Sequence, residues 1–490
     1  MKRAIERASR LSVLCLLFIL TAGLPADGAA EGRRNVLFVA VDDLRPALRC
    51  YGDQTAITPN IDRLAARGLL LSRAYCQQAI CNPSRASIIT GLRPDTIQVW
   101  DLKAHFRDAV PNVVTLPQHF KNHGYVTQSI GKILHGSGRA AKDPPSWSVP
   151  ATFDMANKIE DYLTDRNLKM KGTKRGATDD ADVADDAYRG GKVTHAAILA
   201  MRRLQDKPFF LAVGYRKPHL PFSAPKKYWD LYDRETIPPP ATSTNPDGAP
   251  ELAVRSFKEL EGYQDVPNEG QIPPEKVKEL RHGYYACVSF TDAQIGLLLD
   301  ELDALNLAEK TVIVLWGDHG FHLGEQGLWA KAYNYELTTR VPLILAVPGQ
   351  KNAGERSDAL VEFVDVYPTL VALCGLPLPE GLEGSSMEPL LDDPRRPWKQ
   401  AAFSRFPRAE TAARHQGRGD TMGYALRTDR YRYVEWRTCK KNHVVARELY
   451  DHAGEPHEMQ NLADGPEHAP LLRRLSEELR AGWQAALPPD

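Results

Sequence analysis

The sequence predicts an α/β protein with a central, mostly parallel sheet and a smaller C-terminal α+β subdomain. Valine-rich apolar runs, typical of strands buried on both faces, and amphipathic helical stretches between them predict the central sheet. Strand-like runs beyond the last proline-rich break indicate a second, antiparallel sheet. Because a chain of 490 residues is too long for one ordinary hydrophobic core, at least two structural units are expected.

Five apolar runs predict the strands of the central sheet. Residues 36–41 form a continuous valine-rich run that is typical of a buried parallel strand. The other predicted strands are residues 125–130, 209–213, 311–316 and 341–347. Helices are predicted at residues 60–67, which end at a glycine, and at about residues 284–305. Strands that alternate with helices in this way form a sheet with helices on both faces.

Irregular stretches divide the chain. Residues 169–186 are polar and without period, and residues 238–248 are rich in proline, with irregular sequence that continues toward residue 274. A break at residues 392–398 places the expected boundary between a larger unit, residues 31–395, and a smaller one, residues 396–490. In the smaller unit, antiparallel strands are predicted at residues 424–436 and 448–451, and an amphipathic helix at residues 469–486.

The first 30 residues have the pattern of a signal peptide. Basic residues precede an apolar run at residues 11–24, and small residues at 28–30 supply a cleavage site. The run is short for a membrane span, so an uncleaved anchor is the less favoured alternative. We therefore expect an exported protein, periplasmic or secreted, with no membrane span once residues 1–30 are removed.

Composition narrows the expected partners. The formal net charge is zero at pH 7, which gives no general attraction to nucleic acid or to acidic membranes. An anionic substrate must therefore be held by local cations. Six cysteines follow residue 30, and their spacing shows no disulfide framework. No Asn-x-Ser/Thr site with an allowed middle residue occurs, which favours a bacterial protein over a lysosomal glycoprotein.

Reactive polar residues follow four of the predicted strands. In strand order they are Asp42 and Asp43, then Gly131, Lys132 and His135, then Lys217 and His219, then Asp318 and His319. In a parallel sheet the carboxyl ends of the strands meet at one edge, where sites form. Any one of these groups could belong to an ordinary polar loop, but four together predict a functional site at this edge.

The most specific feature is the segment Cys-Asn-Pro-Ser-Arg at residues 81–85, closed by Thr-Gly at residues 90–91. Proline suits the first helical turn, so a helix is predicted to begin at Pro83 or Ser84. Cys81 then lies at a helix N-terminus, where the backbone favours anions, and Arg85 faces the same place one turn later. Taken alone, the segment is equally compatible with a structural thiol before a capped helix.

Residues 81–91 resemble the signature of the sulfatase family. The resemblance extends over nearly the whole chain after residue 30 and includes residues 42–43, 131–135, 217–219, 317–320, 448–451 and Lys331. It implies an alkaline-phosphatase-like α/β sandwich and activity as a sulfuric ester hydrolase. It also implies that a formylglycine-generating or equivalent maturation enzyme oxidises Cys81 to formylglycine, an aldehyde.

An oxygen-rich set of side chains predicts a metal site. Asp42, Asp43 and Asp318 supply carboxylates and His319 supplies an imidazole, ligands that suit a hard divalent cation. The resemblance implies one calcium ion, with the modified Cys81 among its ligands. Zinc is the alternative because histidine and aspartate also suit it, although no cluster of histidine and cysteine supports it.

The resemblance also implies the remaining catalytic roles. One hydroxyl of the hydrated aldehyde attacks sulfur and expels the alcohol; the second hydroxyl then loses its proton, sulfate leaves and the aldehyde returns. Arg85 and Lys132 hold the hydrate and the sulfate, and His135 assists the elimination. His219 and Lys331 lie at the leaving oxygen, with His219 as the general acid.

Within the family, residues 214–222 and 317–331 are most similar to the iduronate-2-sulfatase branch. His319 is shared with that branch, whereas Phe321 and Ala332 depart from its pattern. Residues 100–105 match a pocket-lining segment of the branch in position but not in every residue. Lys103 or His105 in this segment is therefore a candidate for binding a substrate carboxylate, and a polar surface loop is the alternative.

The sequence thus predicts hydrolysis of a sulfate ester on a carbohydrate, first of all the 2-O-sulfate of a uronic acid in glycosaminoglycan degradation. Three alternatives remain open: a sulfatase for another polysaccharide or a small organic sulfate, a phosphate or phosphonate ester hydrolase, and an inactive sugar-binding protein. The intact segment at residues 81–85 argues against the second, and the full set of site residues argues against the third.

Overall fold

The computed structural model describes residues 33–136, 142–152, 161–256, 258–268, 270–408 and 420–489. The predicted signal peptide lies outside these residues. Within the described part of the chain, no helix is both long and apolar enough to cross a membrane.

A nine-stranded sheet forms the centre of the larger unit. Two further pairs of short strands, β5 with β7 and β9 with β10, lie outside it. In chain order the strands are β1 (Asn35–Val41), β2 (Leu69–Tyr75), β3 (Val126–Gly131), β4 (Val149–Thr152), β5 (Thr178–Asp179), β6 (Phe209–Tyr215), β7 (Phe222–Ser223), β8 (Thr311–Gly317), β9 (His322–Leu323), β10 (Trp329–Ala330), β11 (Arg340–Val341), β12 (Leu343–Ala346) and β13 (Arg356–Glu362).

The predicted mostly parallel sheet is confirmed. Strands β4, β3, β6, β1 and β8 lie side by side and run parallel. Strand β12 is antiparallel to its neighbours β8 and β2, and β13 runs parallel to β2. The predicted strand 341–347 is divided at Pro342, since proline has no N–H to donate to a ladder, and both parts are antiparallel to β2.

Helices cover both faces of the sheet. In chain order the described helices are α1 (Pro59–Arg67), α2 (Cys81–Thr90), α3 (Pro94–Ile97), α4 (Phe106–Ala109), α5 (Leu116–Asn122), α6 (Asp165–Leu168), α7 (Arg189–Leu204), α8 (Lys226–Trp229), α9 (Glu251–Val254), α10 (Pro274–Ala304), α11 (Glu336–Thr339), α12 (Val366–Leu373), α13 (Glu388–Asp392) and α14 (Ala469–Ala481).

Strand β1 explains why the sheet needs helices on both sides. Leu37, Val39 and Val41 belong to one hydrophobic core, shared with α1, α7 and α10, while Val36 and Phe38 belong to a second, shared with α2, α5 and α12. Successive side chains of a strand point to opposite faces, so a run that is apolar at every position must be covered on both.

The C-terminal unit is a four-stranded antiparallel sheet with a helix on one face. Its strands are β14 (Ala401–Arg408), β15 (Thr421–Thr428), β16 (Tyr431–Thr438) and β17 (Val444–Asp451), in spatial order. Leu475 and Leu479 of α14 pack with Leu426, Tyr433 and Leu449 in a separate small core. The predicted run 424–436 is two strands joined by a turn, and the predicted terminal helix ends at Ala481, before a short 3-10 turn.

Several elements differ from their predicted bounds. Helix α2 begins at Cys81 rather than at Pro83 or Ser84; the proline is tolerated because the first-turn N–H groups have no partner within a helix. Helix α10 begins ten residues before the predicted residue 284. The prediction missed its first turns because they are charged, partly exposed and lack an apolar stripe. Strand β2 and helix α7 were not predicted at all.

The register brings the predicted strand ends level. Val41, the last residue of β1, pairs with Tyr215 of β6 and Gly317 of β8, and Gly131 of β3 pairs with Gly214. The residues that follow these strands therefore emerge beside one another at one edge of the sheet, as predicted.

Gly214 is required where β6 and the chain leaving β3 approach each other. A methyl group at Gly214 would lie 2.1 Å from the carbonyl oxygen of Lys132, and both partners are backbone. We predict that Gly214→Ala displaces Lys132 and lowers the free energy of unfolding by about 1–3 kcal/mol, the usual cost of overpacking, as measured by denaturant unfolding. Gly454→Ala is the matched control, since its methyl group meets only a backbone oxygen at 3.9 Å. Equal stability of the two variants would contradict the prediction.

Candidate active site

Cys81 lies at the centre of a buried polar cluster at the carboxyl edge of the sheet. It is the first residue of α2, and its side chain is buried. Its Sγ is 3.3 Å from Oδ1 of Asp42, 3.3 Å from Nε2 of His319 and 3.6 Å from Nζ of Lys132. The residues that follow β1, β3 and β8 thus converge on the N-terminus of α2.

Asp42 is held as a carboxylate by two cations. Lys132 Nζ donates to its Oδ2, and Nη2 of Arg85 donates to its Oδ1 over 3.1 Å. Burial raises the pKa of Asp42, but the charges of Lys132, His219 and Arg85 outweigh it and hold that pKa well below its usual value. The carboxylate is therefore charged in the absence of any further ligand.

Arg85 ties the cluster to the backbone that follows β3 and to the Asp318 side chain that follows β8. Its Nε donates to Oδ2 of Asp318 over 2.8 Å, and Nη1 donates to the carbonyl oxygens of Lys132 and Ile133. The side chain is fully buried, and the guanidinium also pairs with the Asp42 carboxylate and lies over the ring of Trp316. Its planar fork fixes the distance between β1, β3 and β8 at this edge.

The imidazole of His319 is oriented with one nitrogen toward the cluster. Its Nδ1 lies 3.0 Å from the carbonyl oxygen of Gly320, which can only accept, so Nδ1 carries the proton. Nε2 then presents a lone pair near Oδ1 of Asp43 at 3.4 Å and Oδ1 of Asp318 at 3.5 Å. Burial lowers the pKa of His319, which favours this neutral form. A neutral imidazole with its other nitrogen tied to a carbonyl is the usual arrangement of a metal ligand.

The donor set fits a divalent cation. Ligand atoms of Asp42, Cys81, Asp318 and His319 all lie within 4.8 Å of one another. Burial and the carboxylates of Asp42, Glu259 and Asp318 raise the pKa of Asp43 well above its usual value, despite the charge of Lys331. The cluster is thus short of positive charge, and a hard cation with oxygen ligands would supply it.

Lys331 and His219 form the second half of the site. Lys331 Nζ donates to both carboxylate oxygens of Asp43, at 2.8 and 2.9 Å, and to Oε1 of Glu259 at 2.9 Å. His219 Nε2 lies 3.2 Å from the same Oε1, and its Nδ1 lies 2.6 Å from the carbonyl oxygen of Leu220. Glu259 was not predicted as a site residue, because it lies in a stretch predicted only to be irregular and belongs to no motif.

His135 is the most exposed of the predicted catalytic residues, and it is half-buried. Burial and the charges of Lys132, Arg85 and Lys331, only partly offset by Asp42, lower its pKa to about 3. Its Nδ1 has no hydrogen-bond partner among the described residues. His135 is therefore neutral at physiological pH, with a ring nitrogen available to a ligand.

The two predicted substrate-binding residues are in different situations. Asn82 donates to the carbonyl oxygens of Asp101 and Ala104, both over 2.8 Å, and so fixes this loop beside the start of α2. Lys103 is exposed on that loop. His105 is buried, and its Nδ1 caps α4 by accepting the N–H of Arg107 over 3.1 Å. The loop thus adjoins the cluster, but the His105 ring is already used to hold a helix.

The unmodified Cys81 thiol is a poor nucleophile. Burial and the charge of Asp42 raise its pKa well above the usual value, so it is not a thiolate nucleophile near neutral pH. If Cys81 is oxidised, its Sγ stands where the aldehyde oxygens would be. Cys50, Cys76, Cys81, Cys287 and Cys374 form no disulfide.

Two sequence profiles match the chain. The profile described as Sulfatase matches residues 34–376, and the profile described as N-sulphoglucosamine sulphohydrolase, C-terminal, matches residues 324–484. The chain is 34% identical to iduronate 2-sulfatase of Mus musculus, with 96% of this chain and 98% of the relative covered. It is 36% identical to iduronate 2-sulfatase of Homo sapiens, with 86% and 88% covered.

Solved structures share the fold. A protein in complex with its substrate D-glucosamine-2-N,6-O-disulfate superposes with a TM-score of 0.74 at 23% identity, covering 93% of this chain and 99% of the other. The phosphonate monoester hydrolase of Agrobacterium radiobacter superposes with a TM-score of 0.77 at 22% identity, covering 92% and 96%. These likenesses confirm the alkaline-phosphatase-like α/β fold with its C-terminal antiparallel sheet.

Removal of Arg85 should be costly for stability. Arg85→Ala removes one of the two cations that pair with the buried Asp42 carboxylate and the cation that pairs with buried Asp318, so we predict a loss of about 3–5 kcal/mol in the free energy of unfolding, measured with guanidinium chloride. Arg67→Ala is the control, because Arg67 forms a half-exposed pair with Asp303 that contributes about 1 kcal/mol or less. A loss no larger for Arg85→Ala than for Arg67→Ala would show that the buried pairs do not hold this edge.

Proposed function

The chain belongs to the sulfatase family and is a sulfuric ester hydrolase, and we propose that it releases the 2-O-sulfate of uronic acid residues in glycosaminoglycans. In this proposal Cys81, oxidised to formylglycine by a maturation enzyme, supplies the nucleophile. The observation that carries the proposal is the position of Cys81 Sγ, at hydrogen-bond distance from Asp42, His319 and Lys132. A buried thiol with a raised pKa is a poor nucleophile at this position, whereas a hydrated aldehyde would supply a hydroxyl that can attack sulfur.

Calcium is the cation we propose for the cluster. Asp42, Asp43 and Asp318 would hold it through carboxylate oxygens, with His319 and the modified Cys81 completing the set. Three carboxylates favour calcium over zinc, which prefers nitrogen and sulfur. The bound ion would stabilise negative charge on the sulfuryl oxygens and on the attacking hydroxyl.

In the first step, one hydroxyl oxygen of the formylglycine hydrate forms a bond to sulfur while the bond from sulfur to the ester oxygen breaks. The proton of the attacking hydroxyl passes to the Asp42 carboxylate, whose Oδ1 lies 3.3 Å from Cys81 Sγ. Lys132 and Arg85 lie on the Asp42 side, where they hold the hydrate and the sulfuryl oxygens. His219 donates a proton to the departing oxygen, and Lys331 stabilises its charge.

In the second step the sulfate is released from the enzyme. The remaining hydroxyl loses its proton, the bond between the formylglycine carbon and the sulfate oxygen breaks, and the aldehyde forms again. His135, which is neutral and whose Nδ1 has no hydrogen-bond partner among the described residues, is the group that accepts this proton in our proposal. Addition of water restores the hydrate for the next turnover.

The uronic acid specificity rests on similarity to the two iduronate 2-sulfatases and on the loop that Asn82 holds. We propose that Lys103, with His105 behind it, binds the substrate carboxylate. Lys103 is the better placed of the two because its side chain is exposed and His105 caps α4. The catalytic unit is residues 31–395 and the C-terminal subdomain is residues 396–490; export to the periplasm or the medium is part of the proposal.

A second candidate function is hydrolysis of a phosphonate monoester, favoured by the fold shared with the phosphonate monoester hydrolase. The iduronate 2-sulfatases, at 34% and 36% identity, favour the sulfate ester instead. A phosphonate monoester therefore belongs among the substrates that test the proposal.

Sulfate release from defined disaccharides tests the proposal. We predict sulfate release from 2-O-sulfated uronic acid and no sulfate release from 6-O-sulfated glucosamine, both measured by ion chromatography. We also predict that no phenol is released from a phenyl phosphonate monoester. Conversion of Cys81 is first checked by peptide mass spectrometry, and Cys81→Ala is the inactive control. With Cys81 converted, release from the glucosamine position alone would contradict the proposed specificity, and release of the phosphonate alcohol alone would support the second candidate.

Lys103→Ala tests the proposed carboxylate contact. A solvent-exposed ion pair contributes about 0.2–1 kcal/mol, so we predict a rise in KM of about two- to fivefold with kcat unchanged. His105→Ala should raise KM and also destabilise the protein by about 1 kcal/mol through loss of the α4 cap. Lys310→Ala, exposed before β8 at the opposite edge of the sheet, is the control. An unchanged KM in Lys103→Ala and His105→Ala would remove both residues from the substrate site.

A further inference from the structure

We propose that Glu259 is a positioning residue that holds Lys331 and His219 at the leaving oxygen. The inference rests on the proposed function, in which these two side chains act on the departing alcohol. It adds a carboxylate, from a part of the chain without a recognised motif, to the proposed catalytic arrangement.

Glu259 completes the hydrogen bonding of Lys331. An ammonium group has three N–H donors. In this protein they match three acceptor oxygens: the two of Asp43, at 2.8 and 2.9 Å, and Oε1 of Glu259 at 2.9 Å. Without Glu259, the ammonium is held from one side only and is free to tilt toward Asp43.

Glu259 also fixes the second nitrogen of His219. The ring is anchored at Nδ1 by the carbonyl oxygen of Leu220, and Oε1 of Glu259 faces Nε2 at 3.2 Å. A carboxylate accepts only, so this contact is satisfied when Nε2 carries a proton. Because Nδ1 already donates to the carbonyl oxygen of Leu220, this form is the imidazolium, and Glu259 thus favours the form of His219 that has a proton to donate from Nε2.

Among the described residues, the Glu259 carboxylate forms hydrogen bonds or ion pairs only with Lys331 and His219. The side chain is 11% exposed, and Oε2 has no hydrogen-bond partner among the described residues. Its backbone carbonyl oxygen accepts from Nζ of Lys174 over 2.7 Å, so the main chain is held independently of the carboxylate. Burying a carboxylate with one oxygen unpaired is costly, which argues that its contacts with Lys331 and His219 are the reason for it.

Glu259 also borders a cavity of about 970 Å³, whose walls include Pro240, Leu260, Trp329 and Tyr333. Glu259 therefore lies at the boundary between the catalytic cluster and this cavity. Replacement by the isosteric glutamine should leave the fold intact.

The dependence on the leaving group separates positioning from a structural role. A sugar hydroxyl is a poor leaving group and needs a proton as the ester bond breaks, whereas 4-nitrophenolate is a stable anion and does not. If Glu259 acts through His219 and Lys331, its loss must affect a sugar sulfate far more than an aryl sulfate. A general loss of folding or of metal would affect both equally.

The experiment compares wild-type protein, Glu259→Gln and Glu261→Gln, each with converted Cys81, on 2-O-sulfated uronic acid disaccharide and on 4-nitrophenyl sulfate. Glu261 is the matched control because its carboxylate pairs only with the exposed Lys258, at 3.3 Å, among the described residues. We expect kcat/KM of Glu259→Gln to fall about 100-fold on the disaccharide and less than about fivefold on the aryl sulfate, since general acid catalysis contributes about 10²–10⁴-fold. Glu261→Gln should match wild type on both.

Equal losses on the two substrates, no loss on the disaccharide, or a gain on it would each overturn the inference. Failure of the proposed function is a different result, in which the wild-type protein itself does not release sulfate from the disaccharide. In that case crystal structures of wild-type protein and Glu259→Gln test the inference. Displaced Lys331 and His219 side chains in the variant would support it, and unmoved ones would overturn it.

Discussion

The site depends on one constraint: at the carboxyl edge of the central sheet, more negative than positive charge is buried. The carboxylates of Asp42, Asp43, Asp318 and Glu259 meet the three cations Arg85, Lys132 and Lys331, and almost none of these groups reaches water. Each cation pairs with an aspartate that follows β1 or β8, so these ion pairs form only if β1, β3 and β8 end at the same edge of the sheet. The same arrangement leaves the cluster short of positive charge. Electrostatics thus both fixes this edge of the fold and creates the need for a bound cation.

Much of the fold and most of the cluster follow from the sequence. Valine-rich runs are buried on both faces, so β1, β6 and β8 were predicted within two residues of their observed ends, and the residues after them had to meet at one edge. Strand β2 was missed because its polar Ser72 and Arg73 interrupt the apolar run, and their side chains bond to the neighbouring strand β13 instead. Such long-range pairing leaves no local pattern to read.

Glu259 shows why the rest of the site could not be predicted. It lies in a stretch without periodicity, and nothing nearby in sequence marks it as different from Glu261. Only the folded chain brings it to Lys331, through the Lys174 side chain that holds the backbone of residues 259 and 261. By contrast, His105 was singled out by its position in a motif, yet its ring caps a helix. In both cases the residue type indicates which chemistry the side chain can perform, but the burial of the side chain and its partners determine its role.

The claim that a divalent cation completes this cluster is central to the account. It is tested most directly by calorimetric titration of chelated, Cys81-converted protein with calcium, in parallel with Asp318→Asn. The account predicts one calcium ion bound per chain, sulfatase activity that appears in proportion to that binding, and loss of the binding in Asp318→Asn. Full activity of the chelated protein without bound calcium, or calcium binding that is unchanged in Asp318→Asn, would contradict it.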